Sequence, residues 1–461
     1  MPYSLRTFAR PGKFCQELTL DALGRAIPQE AVAAALRETG AVARRERKLT
    51  LAVVVWALIA MHLYPALSMG HTLKKIAQGL RYVWPDPAHP VPGASALSYR
   101  RYQLGARPLA ALFRRACRPL ATPATPGAYR FGLRLLALDG AVERVPDTPA
   151  NARYCGRQRG DRGDSAFPQV RAVVLCECGT HAILDAGFWP YRVAETVGGD
   201  RLLRSVGPGD LLLWDANFHS HARLARTLAR GAHALGRLPA PVRPRPLRAL
   251  PDGSTLATLR PPRDAPPGTP PLPVRVVAYT VTDPALPGHG EERRVVTTLL
   301  DHTLAPARDL VCAYHERWEV ELVVAEVETR QRPADAPLRS EKPVGVIQEL
   351  YALLLAHYAV RALMHEAARA AGLDPDRLSF VHALRLIHAA IPEFQQAAPA
   401  DHPHLYARLL RDLAAAPLPP RRARTNPRVV KRKMPPFGRK RPEHRRWPQP
   451  ARPFDQCIAL I

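Results

Sequence analysis

The apolar positions of this chain change their period part-way along it. Over residues 14 to about 115, Leu18, Leu20, Leu23, Ile27, Val32 and Leu36 recur at mixed helical spacings, broken at Pro28. Residues 49–64 (LTLAVVVWALIAMHLY) are almost wholly apolar, and Pro65 ends them after 16 positions. A membrane-spanning helix needs about 20 residues, so this stretch is expected as a buried core helix, with no membrane partner.

From about residue 130 the pattern becomes that of short strands. Residues 133–138 read as a buried strand ending at Asp139 and Gly140. Residues 170–178 and 180–188 read as two strands joined at Gly179, a hairpin. A short helix near 195–206 and a Pro208-Gly209 turn lead to a strand over 210–214 that ends at Asp215, and a helix over 220–230 follows. The order β-β-β-α-β-α, with acids closing two strands, predicts an α/β fold with helices flanking a sheet.

Residues 237–275 are rich in Pro and Arg and have little periodicity, whereas 274–282 and 292–300 alternate as strands do. This block reads as an insertion, partly β, rather than as part of the sheet. Strong helices are expected over 310–331 and 349–371, and a basic tail after Pro417 holds twelve Lys/Arg and one Glu between Arg421 and Arg446. The expected organisation is a helical DNA-binding domain over 1–115, a first core segment over 116–235, the insertion over 236–308, a second core segment over 309–375, and a helical segment with the basic tail over 376–461.

Charge narrows the function. Sixty-six Lys and Arg stand against 40 Asp and Glu, a net charge of +26. A small-molecule enzyme has no need of that excess; a polyanion-binding protein does, because each phosphate it neutralises releases a condensed counterion. The basic residues divide into 8 Lys and 58 Arg, as a GC-rich coding sequence would give, but such bias does not explain why base exceeds acid. Arg44, Arg45, Arg47 and Lys48 before the apolar helix, and Lys74 and Lys75 beyond it, fit either DNA-backbone contact or an ordinary solvated edge. Seven scattered Cys make no CxxC pair and no zinc-ligand spacing. A reducing cytoplasm suits them.

Asp139 and Asp215 each follow a short apolar strand and precede a small residue. Carboxylates at neighbouring strand ends, faced by one from a helix, can hold the divalent metal that phosphodiester chemistry requires. Each aspartate alone fits a turn starter or helix cap better than a metal ligand. On a regular helix with Tyr314 at zero, Arg317 falls at about 300°, Glu321 at about 340° and Glu328 at about 320°, within one narrow arc. Glu316, Glu319 and Glu326 fall near 200°, 140° and 120°, outside it, at roughly 100° per residue. Val320, Val323, Val324 and Val327 form an apolar stripe beside the arc. A salt-bridged surface helix and a metal-binding helix both fit this geometry.

The run Tyr314-His315-Glu316-Arg317-Trp318-Glu319-Val320-Glu321 resembles the Tyr-x2-Arg-x3-Glu-x6-Lys signature of insertion-sequence transposases of the IS-four type. LDG (138–140), VPDTPAN (145–151), SAFPQVR (165–171), ECGTHAI (177–183) and LRSEKPVGVIQELYALLLAHYAVRALM (338–364) resemble the same family. The resemblance runs from about Leu18 into the tail near Arg446. It implies an RNase-H-like mixed sheet flanked by helices, a β-containing insertion before the last catalytic helix, and an all-α N-terminal domain. It also implies Asp139, Asp215 and Glu321 as ligands of Mg2+, with Mn2+ as a substitute, and Tyr314 and Arg317 as contacts to the transposon-end phosphate. The implied activity is cut-and-paste transposition of an insertion sequence, with double-stranded DNA as partner and a homodimer in the synaptic complex. The resemblance to bacterial insertion-sequence proteins also implies a bacterial cytoplasm, at the nucleoid, as the location.

Three departures qualify it. Glu328 occupies the signature's Lys position, where a carboxylate repels phosphate. Ala216-Asn217-Phe218-His219 stands where the family usually has Arg-Gly-Phe. Residues 234–250 are Pro- and Arg-rich where the family tends to have a strand. Two alternatives therefore stay open: a decayed or domesticated relative that only binds DNA, and a metal-dependent nuclease on the same core. Trp214 and Trp318, close to the expected site in sequence, are either core aromatics or platforms for a flipped base.

Overall fold

The computed structural model describes residues 23–41, 49–74, 93–160, 163–284, 289–333, 336–419 and 453–460. The expected DNA contacts Arg44, Arg45, Arg47 and Lys48 lie outside the described residues, as do Lys75 and the basic run 421–446.

The strands of three or more residues run, in chain order among the described residues, over Leu133–Arg144 (β1), Gln169–Glu177 (β2), Ile183–Pro190 (β3), Asp210–Trp214 (β4), His233–Arg237 (β5), Arg245–Ala249 (β6), Thr255–Leu259 (β7), Leu272–Val281 (β8), Arg293–Thr297 (β9) and Ile458–Leu460 (β10). The helices that matter here cover Gln29–Glu38 (α1), Leu51–Met61 (α2), Ala94–Leu104 (α3), Arg107–Ala116 (α4), Pro149–Cys155 (α5), Glu195–Leu202 (α6), His221–Ala229 (α7), Ala307–His315 (α8), Glu319–Ala325 (α9), Pro343–Ala371 (α10), Phe380–Gln396 (α11) and His402–Ala414 (α12). The chain forms two compact units. Unit 1 comprises Met1–Ala128, Leu138–Ser205 and Glu319–Pro417; unit 2 comprises Tyr129–Ala137, Val206–Trp318 and Leu418–Ile461.

Unit 1 is built on α10. This helix starts at Pro343, whose missing N–H costs nothing in a first turn, and ends at Gly372 in the left-handed region (φ 65°). It is apolar on most faces, as a core helix must be. It is long and apolar enough to cross a membrane, yet 83% of its most apolar window is buried inside the protein. Helix α2, capped by the Thr50 side chain on Val53 N, is buried at Leu51 and from Val53 to Met61, so the apolar stretch 49–64 holds a core helix as expected. The buried Arg101 of α3 donates to Gln348 Oε1 (2.8 Å), Ser340 Oγ (2.6 Å) and Gly345 O (2.6 Å), satisfying a charge in a dry interior. Strand β2 pairs antiparallel with β3, Val173 facing Gly187, and has β1 on its other side.

In unit 2 the first residues of β1 pair parallel with β4 (Leu135 facing Leu211), and β4 pairs parallel with β5 (Leu212 facing Ala234). The indole of Trp214 crosses Gly236 so closely that a Cβ there would lie 2.2 Å from Nε1; only glycine fits. Beyond β5 the structure corrects the sequence reading. Strand β9 pairs antiparallel with β5 (Val296 facing Gly236), β8 with β9, β7 with β8, and β6 closes the edge. The block between Asp215 and α8 is thus an extension of the sheet, because the backbone donors and acceptors of β5 take β9 as their partner. The aperiodic Pro/Arg stretch also contains β6 and β7. All five residues of β6 are exposed, so no apolar alternation marks it.

Two more expectations change. Strand β1 does not end at Asp139 but continues to Arg144, which makes Asp139 a mid-strand residue. The helix expected over 310–331 is not uniform: α8 passes through a 3-10 turn at Glu316–Trp318 into α9, which ends in a π turn at Glu326–Arg330. A 100° wheel cannot register such changes of winding, because it assumes one helix type throughout.

Candidate active site

In unit 1, Asp139 is half-buried on β1 and accepts from its neighbour's amide, Gly140 N, at 2.9 Å. Gly140 lies against α6: a Cβ there would fall 1.8 Å from Glu195 Oε1. Glu321 is exposed on α9, while Val320 and Val323 of the same helix are buried. Glu328 sits in the π turn beside a small cavity of about 20 Å3 that it shares with Glu143, Val323, Val327, Leu350 and Leu354. Burial, then the charges of Glu143 and Asp139, push its carboxyl up to about 7; Arg332 and Arg144 offset only part of this. Arg332 is spent largely on Glu143, at 2.6 Å.

In unit 2, Asp215 caps the 3-10 turn after β4. Its Oδ1 accepts from Asn217 N (3.0 Å) and Phe218 N (3.2 Å), which fixes the carboxylate at the strand end. Tyr314 and Arg317 are both buried. Burial lifts the Tyr314 hydroxyl to about 12, with Tyr279 and Asp215 adding to the rise and Arg317 and Arg237 opposing it. Tyr279 is raised too, chiefly by burial, against Arg293, Arg237 and Arg317. Tyr279 faces Arg293 across β8 and β9, and Arg237 faces Val295 across β5 and β9. The sheet extension therefore brings Tyr279 and Arg237 into the field of Tyr314, beside Arg317 and Asp215, with Arg293 acting on Tyr279. The sequence reading missed these three; the alternation in 292–300 was the available signal, but it does not say which residue faces which. Trp214 is fully buried and is a core aromatic, whereas Trp318 is 38% exposed with the Arg317 guanidinium 4.6 Å from its ring centre.

A second polar group in unit 1 also escaped the sequence reading. His181, fully buried and one of two non-glycine residues with positive φ (59°) among the described residues, follows the β2 end. Its Nε2 lies 2.7 Å from Glu319 Oε2 and 3.3 Å from Asp376 Oδ1, and its Nδ1 lies 3.3 Å from Glu326 Oε1. Arg361 donates through Nε to Glu326 Oε2 at 2.9 Å and through Nη2 to Oε1, and His357 Nε2 is 3.0 Å from the same carboxylate. Burial and Arg361 press the His181 imidazole down, but Asp376, Glu326 and Glu319 outweigh them and hold it at about 9. Burial presses Glu326 up; Arg361 and His181 more than reverse this and leave it well below the usual carboxylate range. Glu319 and Glu326, outside the Tyr-Arg-Glu arc, are thus part of a buried ion network.

Residues 17–114 match the family described as the insertion element 4 transposase N-terminal domain, and residues 130–359 match the transposase DDE domain. The transposase InsG for insertion sequence element IS4, from Escherichia coli K12, is 30% identical over 419 residues, which are 89% of this chain and 92% of that protein. The chain belongs to the IS4 family of DDE transposases. The putative transposase InsZ of the same organism is 33% identical over 153 residues, 32% of this transposase and 49% of InsZ. Among solved structures, a piggyBac transposase synaptic complex with hairpin DNA aligns with a TM-score of 0.42 and 13% identity, covering 85% of this chain and 84% of that one.

DDE transposases act on DNA with divalent metal, and the candidate donors of this IS4-family transposase suit such an ion. Asp139, Asp215 and Glu321 offer only carboxylate oxygens, the hard donors that Mg2+ prefers, and each is at least partly open to solvent. Burial is the main cause of the upward shift of Glu328; the carboxylates of Glu143 and Asp139 add to it.

Proposed function

We propose that this transposase binds the ends of its own insertion sequence and performs Mg2+-dependent strand cleavage and strand transfer, with Asp139, Asp215 and Glu321 as metal ligands. The observation that carries the reading is the unit 2 cluster, in which Asp215 shares one electrostatic neighbourhood with Tyr314, Arg317, Arg237 and Tyr279. A carboxylate for metal beside arginines for phosphate is what a phosphodiester-cleaving site requires.

A divalent ion held by Asp139, Asp215 and Glu321 would supply activation of a water and stabilisation of charge on the leaving oxygen. The chain's own residues position the DNA. Arg317, buried and braced on Trp318, presents its guanidinium from a fixed place. Arg237 is exposed at the end of β5 and adds charge to the same region. Tyr314 keeps its proton at neutral pH and donates it in a hydrogen bond to a phosphate oxygen. In the first step water adds to phosphorus and the 3′ oxygen departs as a 3′-OH. That hydroxyl then attacks another phosphodiester, in the flanking strand or in the target, and displaces its bridging oxygen. Two copies of the chain hold the two ends.

The test is strand cleavage and joining on DNA carrying the element's ends, with Mg2+ or Mn2+. Both activities are expected, and both vanish in Asp215→Asn. Specific binding without nicking would favour the decayed relative, and nicks that are never joined would favour the nuclease. Glu328 is the feature that favours the first of these, because it stands where the family signature has a lysine.

A further inference from the structure

The group around His181 has the makings of a metal site separate from the Asp139, Asp215 and Glu321 set. One ligand atom from each of His181, Glu319 and Asp376 lies within 4.8 Å of the others. The 3.3 Å from His181 Nε2 to Asp376 Oδ1 is about the edge length of a tetrahedron whose metal–ligand bonds are ~2.0 Å. The 2.7 Å from Nε2 to Glu319 opens to that length with a small rotation of a side chain that is 15% exposed. On the far side of the ring, Glu326 Oε1 stands 3.3 Å from Nδ1. A carboxylate behind the distal nitrogen is the arrangement that orients a metal-binding histidine and makes it a better donor. The left-handed backbone at His181 sets the ring against Glu319 and Glu326 despite the local cost. Glu319 and Asp376 are 15% and 17% exposed, so an ion has a way in.

We infer that His181, Glu319 and Asp376 bind one divalent transition ion of the Zn2+ class, which pins α9 from the face opposite Glu321. One imidazole nitrogen with two carboxylates favours such an ion over Mg2+, which prefers oxygen alone. Without the ion, His181 is an imidazolium that donates through Nε2–H to Glu319 and through Nδ1–H to Glu326. Binding requires loss of one proton: Nε2 turns its freed lone pair to the metal, Nδ1–H keeps its place on Glu326, and Arg361 stays on Glu326 through Nε. The proton on Nε2 moves to solvent as the ion enters. The site would not depend on whether Asp139, Asp215 and Glu321 carry the catalysis.

The experiment uses the full-length protein, stripped with chelator, re-equilibrated with Zn2+ in excess Mg2+, desalted and assayed for metal by elemental analysis. The expected result is one Zn2+ per chain in the wild type and in Asp139→Asn, falling to near zero in Asp376→Asn and His181→Gln. Co2+ in place of Zn2+ gives a readout on the wild type alone: the intense visible absorption of a four- or five-coordinate site, insensitive to Mg2+. A wild type that retains no Zn2+ and shows only weak six-coordinate Co2+ absorption overturns the site. So does Zn2+ that survives in folded Asp376→Asn and His181→Gln but is lost in Asp139→Asn. If either variant fails to fold, the wild-type cobalt spectrum still decides.

Discussion

Two pairs of glutamates on one short stretch of chain meet opposite fates. Glu319 and Glu326 turn into unit 1, where Arg361 and His181 hold Glu326 ionised despite its burial. Glu321 and Glu328 lie on the other side; Glu321 is exposed, and Glu328 is pushed to about 7 chiefly by burial, with Glu143 and Asp139 adding to the rise. The same residue type is an ionised structural anchor on one face, and on the other an exposed acid or a carboxyl pushed toward its neutral form. Helix position alone does not separate these roles; the partners do, and they come from the turn after β2, from α10 and from β1.

The comparison can be broken at several points. The largest effect is expected for Glu321→Gln, which should lower cleavage of end DNA by about 10³-fold, several kcal/mol of lost metal stabilisation, with the thermal midpoint nearly unchanged. A cleavage assay beside a melt checks both, and a Glu321 variant that unfolds would put it with the anchors. Arg361→Met should do the reverse. It strands Glu326 in the interior, and denaturant titration should show a loss of about 3–5 kcal/mol; a loss below about 1 kcal/mol would mean the network is not a stabilising device.

Smaller changes sharpen the functional face. Glu328→Lys places a cation beside Glu143 and Asp139, and affinity for end DNA should rise, with the slope of log K against log salt steeper by about 1. An unaltered slope would take residue 328 off the phosphate path. The smallest effect is in pH. The folded Glu328 carboxyl titrates near 7, above its ordinary 4.5. Its contribution to stability is therefore full below 4.5 and is lost as pH rises through 7. Glu328→Gln should flatten the stability profile over that window, as melts from pH 4 to 8 would reveal; a profile unchanged from wild type would contradict the shift.

Local pattern disclosed much of this molecule and misled where pairing decides. The buried α2, the strand β4 and its terminal Asp215 are visible because apolar runs with turn residues at their ends have few other solutions. Strand β6 is invisible because all its side chains face water, and its membership of the sheet is settled by hydrogen bonds to β7 rather than by periodicity. Asp139 appeared to end a strand because Gly140 follows it, but that glycine accommodates Glu195 and the strand runs on. The His181 network joins residues 138 to 195 positions apart in sequence, from His181 to Glu319 and to Asp376, and no single-sequence period reaches so far. Glu319 and Glu326 were set apart by angle, but the wheel does not show whether a polar face meets solvent or a partner.

The exposed edge strand has a practical side. An open edge invites a second copy to add on through its backbone. Here Arg245 and Arg248 stand on that edge, and Pro246 withholds one donor from it. Like charges keep two such edges apart only while their field reaches across the gap, and at 1 M salt that reach shrinks to about 3 Å. High-salt buffers, commonly used to strip nucleic acid from basic proteins, would therefore remove this protection and bring self-association during purification.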